Sequence, residues 1–189
     1  MTSEMIILTV LGPLLGLALI CFLWVIATTN LFNKLIVKVE EAESGVDVAL
    51  EQRYDVLVKL LDVTKGYAKY EASTLESIVS LRKPVQNAPI SEKQSYSNDL
   101  SSALNKLNIV LEQYPDLKAS QNYLKLQEAS VEVEDNLQAA RRVYNANVST
   151  YNQKLVVFPN SVIANWKKYT KRDFFEAEPS KRKDVEFNL

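Results

Sequence analysis

Residues Ile6–Ala27, IILTVLGPLLGLALICFLWVIA, constrain the reading of every other part of the chain. Thr9 carries the only hydroxyl in the stretch, and no charge occurs between Glu4 and Lys34. At about 1.5 Å per helical residue, roughly 20 apolar residues cross a ~30 Å hydrocarbon core. The stretch is expected to be a transmembrane helix contacting the lipid bilayer through Ile6 to Ala27. A cleaved signal peptide wants a basic leader and a small-x-small site. The leader MTSEM is acidic, and Val25-Ile26-Ala27 is a poor site after an apolar run too long for a signal. Cys21 follows Leu19-Ile20 rather than the small residues of a lipid-anchor motif. The span is therefore expected to be retained. Lys34 and Lys38 follow it and no Lys or Arg precedes it, which favours an outside N-terminus and a cytoplasmic body. Gly12 and Gly16 stand four apart, the small-xxx-small spacing that lets two membrane helices approach closely. They are the transmembrane packing candidates, against the plain alternative that glycine is common in such helices. Pro13 falls within the first two turns of the stretch, and Trp24 lies where an interfacial aromatic belongs.

The remainder of this 189-residue chain is enough for one domain. It contains no histidine, which removes Ser-His-Asp catalysis and most zinc sites. The single cysteine lies in the span, so no disulfide forms within the chain. Four glycines, two of them in the span, leave no phosphate-binding loop. A net charge of −1 gives no nucleic-acid footprint. No catalytic residue, cofactor or metal site is expected, and the composition points to helices throughout.

The periodicity agrees. Leu35, Val39, Ala42, Val46, Ala49, Val56, Leu60, Val63 and Tyr67 advance in alternating steps of four and three, a bundle seam. Arg53 falls on that seam, either snorkelling outward or buried against a carboxylate. Gly66 is a weak point, and the helix is expected to fade by Arg82. Lys83-Pro84-Val85-Gln86-Asn87-Ala88-Pro89-Ile90 breaks the chain, and Ser91 with Gln94 has capping-box spacing. A second helix carries Leu100, Leu104, Leu107 and Leu111 and ends at Tyr114-Pro115-Asp116-Leu117. A third is expected from about Lys118 to Phe158, with Glu134 and Arg141 intruding on its apolar seam. Buried charges are tolerated only when paired, so Arg53, Glu134 and Arg141 are the candidate structural ion pairs, with Glu134 neutralising at least one arginine. Tyr144-Asn145 and Tyr151-Asn152 repeat at seven residues and share a face, read as core tyrosines bonded at their edge. A short fourth helix, about Val162 to Tyr169, precedes a basic and aromatic tail. The expected fold is all-α: one N-terminal transmembrane helix, then an antiparallel bundle of three long helices and one short. The domains are 1–29 (anchor), 30–172 (bundle) and 173–189 (tail). The threading expected is simple up-and-down, with the first helix bent or broken near Gly66 to absorb the length mismatch and the tail packed on protein away from the bilayer. The alternative is a crossover through the proline-rich segment, suggested by a second helix too short to match the first, which would bring Trp166, Lys167, Lys168, Phe174 and Phe175 to the lipid surface.

Leu60–Tyr70 (LLDVTKGYAKY), Tyr114–Leu126 (YPDLKASQNYLKL), Ala140–Asn152 (ARRVYNANVSTYN), Phe158-Pro159 and Phe174–Glu178 (FFEAE) resemble, in order, the motifs of the LemA family. The resemblance covers nearly the whole chain. It implies a short outside N-terminus, one membrane helix, an up-and-down cytoplasmic bundle and a bacterial source, with no assigned activity and no catalytic residues to carry over. Asp135 stands where that pattern has asparagine. The expected function is a membrane-anchored, non-catalytic scaffold or interaction protein of the bacterial envelope. It would act as a homo-oligomer or through an unidentified membrane or cytoplasmic partner. The alternative is an accessory regulator of a membrane enzyme such as an envelope protease or stress system.

Overall fold

The computed structural model describes residues 3–65, 80–82 and 85–176. Among the described residues there are five helices and no strand: α1 Ser3–Lys65, α2 Ile90–Leu111, α3 Pro115–Lys118, α4 Gln121–Val156 and α5 Asn160–Trp166. The fold is all-α, with long bundle helices led by an apolar N-terminal one.

Helix α1 runs unbroken from the apolar stretch into the body. It starts at Ser3, earlier than the apolar run alone suggests, so Pro13 lies inside it and not in its first two turns. Proline has no N–H, so the Thr9 carbonyl loses its ordinary helical donor there. Burial divides the helix sharply. Leu11, Leu14, Leu15, Leu17, Leu19, Ile20, Phe22, Leu23 and Ile26 are exposed, whereas Thr28 and Phe32 are buried. From there the buried side chains follow the seam: Val39, Ala42, Val46, Ala49, Leu50, Leu57, Leu60 and Leu61. Each fully buried leucine contributes about 1.5–3 kcal/mol of transfer free energy. The first stretch is largely bare, with Trp24 and Val25 half-buried, and the first buried side chain, Thr28, falls one residue after Ala27.

Two compact units can be told apart. One combines the chain up to Glu40 with Asn147–Arg172; the other combines Glu41–Ala146 with the chain from Asp173. In the second unit Lys93 meets Glu43 and Asp47, while Ser97, one turn further along α2, meets Arg53, further along α1. Positions rise together, so α2 runs parallel to α1. In the first unit Asn147 of α4 meets Lys38 and Tyr151 meets Phe32, so α4 runs antiparallel to α1. The helix expected second in the chain thus runs with α1, where simple up-and-down threading has it antiparallel, and the break expected near Gly66 falls in residues 66–79, outside the described residues.

Helix ends show further local corrections. The Ser91–Gln94 capping box does not form; α2 begins at Ile90 after Pro89, with no side-chain cap. The Pro89 carbonyl instead accepts from the N–H groups of Glu92 and Lys93. Tyr114-Pro115-Asp116-Leu117 does not simply end a helix: its Pro115–Lys118 portion forms the single turn α3. Helix α4 then starts at Gln121 rather than Lys118, because the Ser120 hydroxyl caps it by accepting from the Tyr123 N–H at 3.3 Å. Helix α5 spans Asn160–Trp166 and is closed by Lys168, whose φ of 57° is left-handed, with the Tyr169 N–H bonding the Ala164 carbonyl. The Phe158–Pro159 bond that precedes it is cis. Gly66, the fading of the first helix beyond it, and the tail after Glu176 lie outside the described residues.

Candidate functional site, a buried charge network and a clamped tail

Glu43 and Asp47 stand one turn apart on α1, so both carboxylates project from one face. Lys93, in the first turn of α2, is 1% exposed and fills the space between them. Its ammonium lies 2.6 Å from Asp47 Oδ1 and 2.9 Å from Glu43 Oε1, and donates to Asp47 Oδ2 at 2.8 Å. Burial pushes the Asp47 carboxyl above the usual carboxylate range, the Lys93 hydrogen bond and charge pull it back, and Glu43 adds a smaller upward push. Sequence reasoning missed this triad. Glu43 and Asp47 flank the seam positions Ala42 and Val46, but nothing along the chain points to a lysine at a helix start as their partner.

The three predicted ionic residues are found in the second unit. Arg53 is 6% exposed, so it is buried and does not snorkel. Its Nη2 lies 2.8 Å from Glu134 Oε2, and its Nη1 donates to the Ser97 carbonyl at 3.3 Å and to Ser97 Oγ at 3.4 Å. Glu134 Oε1 accepts from Gln138 Nε2 at 2.8 Å, one turn on. Arg141 donates from Nη2 to Ser97 Oγ, and its guanidinium sits 4.5 Å over the Phe175 ring. Glu134 thus faces Arg53, while Arg141 joins through the serine. Asp135 is exposed. Tyr96 is 5% exposed, and burial first, then Tyr54, Asp55 and Glu51, push its phenol up to about 12.

Phe175 reaches Arg141 because α4 holds the tail by its main chain. Asn145 Nδ2 donates to the Phe175 carbonyl at 2.9 Å and its Oδ1 accepts from the Phe175 N–H at 2.8 Å. Tyr144 Oη donates to the Asp173 carbonyl at 2.9 Å, and the Glu176 N–H donates to Gln94 Oε1 at 3.1 Å. The first unit repeats the device. Asn152 brackets Arg172 with bonds of 2.9 and 3.0 Å, and Tyr151 Oη donates to the Thr170 carbonyl at 3.0 Å. Burial pushes the Tyr151 phenol up. Phe32 is fully buried beside Tyr151, 6.3 Å away edge-on, and Tyr169, 4.9 Å away. Tyr169 Oη donates to Asn33 Oδ1 at 3.2 Å. Sequence reasoning placed both tyrosines on the core face and assigned no role to the asparagines beside them.

Gly12 and Gly16 lie apart from all of this: a Cβ added at either meets nothing within 4 Å. Among the described residues no group of three or more His, Cys, Asp and Glu side chains converges to hold a metal.

An apolar helix of membrane-crossing length that continues into a bundle of long helices with an internal charge network defines a class of all-helical, membrane-associated proteins. Within that class the chain belongs to the LemA family, whose profile matches residues 42–188. It is 30% identical over 151 residues to Protein LemA of Metamycoplasma hominis, a match covering 79% of this chain and 69% of that protein. It is also 32% identical over 79 residues to Magnetosome protein MamQ 2 of Paramagnetospirillum magneticum, covering 42% of this chain and 29% of that one. A similar match, at 27%, is made with Magnetosome protein MamQ of Magnetospirillum gryphiswaldense.

Proposed function

We propose that the protein is a non-catalytic scaffold held at the membrane by one span, with a short N-terminus outside and the bundle in the cytoplasm. It would present that bundle for self-association or for docking a membrane or cytoplasmic protein. The observation that carries this is the contrast along α1. Its first stretch exposes a continuous apolar surface that lipid must cover, and the same helix then becomes the central seam of an ion-paired bundle. An anchor that continues without a break into the first bundle helix keeps the bundle at the membrane. The magnetosome relatives are named for a cellular structure and not for a reaction, which fits the same reading. The test is chemical cross-linking of intact membranes followed by weighing the products. Multiples of the chain mass mean self-assembly, and one added mass means a distinct partner. A monomer at every cross-linker dose would overturn the scaffold reading.

A further inference from the structure

Exposed large apolar side chains of the described body mostly occur singly, as at Val37, Val48, Ile109 and Leu124. They concentrate in one place, the turn from α4 into α5, where Val156, Val157, Phe158, Val162 and Trp166 are all exposed. Phe158 is 78% exposed and Trp166 is 66% exposed, while Leu155, Ile163 and Ala164 beneath them are buried. The turn is therefore held in shape from below and bare on top. A patch of this kind in an otherwise covered body marks a surface that something else covers.

Its position within the first unit says what covers it. Asn147 lies against Lys38 and Tyr151 against Phe32. Carried on at one residue of α4 for one of α1, that pairing brings Val156–Phe158 level with about Val25–Ala27. Those are the last residues of the apolar span, next to Trp24. The bare turn and the end of the span thus stand side by side at one height. The charge agrees. Asn147–Arg172 contains five basic residues (Lys154, Lys167, Lys168, Lys171 and Arg172) and no acidic one, although the whole chain carries a net −1. Lys167 Nζ lies 5.4 Å from the Trp166 ring centroid, an aromatic body beside a cationic tip, as suits the boundary between acyl chains and headgroups.

We propose that the α4–α5 turn is a second membrane contact. Phe158, Val162 and Trp166 enter the interface of the bilayer that the span crosses, and Lys167, Lys168 and Lys171 meet anionic headgroups. The contact rests on the membrane reading of the span.

The chain holds two tryptophans, one at each place, which makes the test direct. The full chain is reconstituted in phosphatidylcholine vesicles, with or without a minority of phosphatidylglycerol, using lipids brominated near the headgroup or deep in the acyl chain. The Trp24→Phe protein reports Trp166, and the Trp166→Phe protein reports Trp24. The expected result is blue-shifted Trp166 emission quenched by the shallow bromines, more strongly in anionic vesicles. Lys167→Glu with Lys168→Glu removes that dependence on anionic lipid. If Trp24 is quenched and Trp166 is not, the second contact is overturned while the span stands. If neither is quenched, both readings fall. Trp166 emission that follows protein density and ignores bromine assigns the turn to a second copy of the chain and also overturns the proposal.

Discussion

With its side chain 8% exposed against 33% for Glu134, Arg53 is the partner that cannot fall back on water. Removing either side of an ion pair leaves the other unmatched, and the penalty follows the burial of the one left behind. Glu134→Ala is therefore expected to destabilise the protein by about 2 kcal/mol, and Arg53→Met by about 1 kcal/mol or less. Thermal melts in detergent would show it, and an alanine variant as stable as the parent would mean the pair carries no net weight. Lys93 makes a prediction with a pH sign. Its charge and hydrogen bond are what hold the Asp47 carboxyl down against desolvation. In Lys93→Met, burial and Glu43 act unopposed, so the folded pKa of Asp47 rises further above its unfolded value of 3.8. The folded state then holds a proton that the unfolded state releases, so stability falls as pH rises through the folded pKa. The deficit of the variant against the parent should be small in the acid range and full at neutrality, as read by urea unfolding at both. A deficit independent of pH would point to lost packing instead.

At the scale of elements, α4 holds an extended segment through side chains that bond only to its backbone. Seven helical residues advance about 10.5 Å, and three extended residues span about 10 Å. Asn145 and Asn152, seven apart, accordingly bracket Phe175 and Arg172, three apart. Each asparagine makes two main-chain bonds, worth about 1 kcal/mol apiece. Asn152→Ala should speed tryptic cleavage after Lys171 and Arg172 on the order of tenfold or more, and adding Asn145→Ala should speed it further. Cleavage of the double variant at the parent rate would show that the asparagines do not hold the tail. Because these bonds read the backbone, substitutions at the exposed residues Lys171 and Phe174 should leave the segment in place.

For the whole molecule, most side chains of the span from Leu11 to Leu23 stand exposed. A Cβ added at Gly12 or Gly16 meets nothing within 4 Å in a single chain, so Gly12→Leu with Gly16→Leu should leave the melting of the body within about 0.5 kcal/mol. The same variant should lower the yield of cross-linked dimer in membranes if self-association runs through close span packing. Unchanged dimer yield would move self-association to the bundle. Both variant and parent should stay in the membrane through an alkaline wash.

Periodicity and composition by themselves determined the all-helical class, the presence of an apolar N-terminal helix, and the presence of charged residues on otherwise apolar seams. Those signals are local: a run of uncharged residues, steps of four and three, and a charge out of pattern all act through the neighbouring turns of one helix. Only the tertiary structure decided which charges meet. Lys93 joins Glu43 and Asp47, and Ser97 bridges Arg53 and Arg141, across helices far apart in the chain. It also decided that α2 runs with α1 and α4 against it, because a seam tells a helix which face to bury and is blind to the direction of its neighbour. Parallel and antiparallel neighbours bury the same stripe equally well. The direction of α2 is pinned where a buried lysine meets two carboxylates of α1, and that of α4 where Asn147 meets Lys38 and Tyr151 meets Phe32, contacts between side chains that no local pattern brings together.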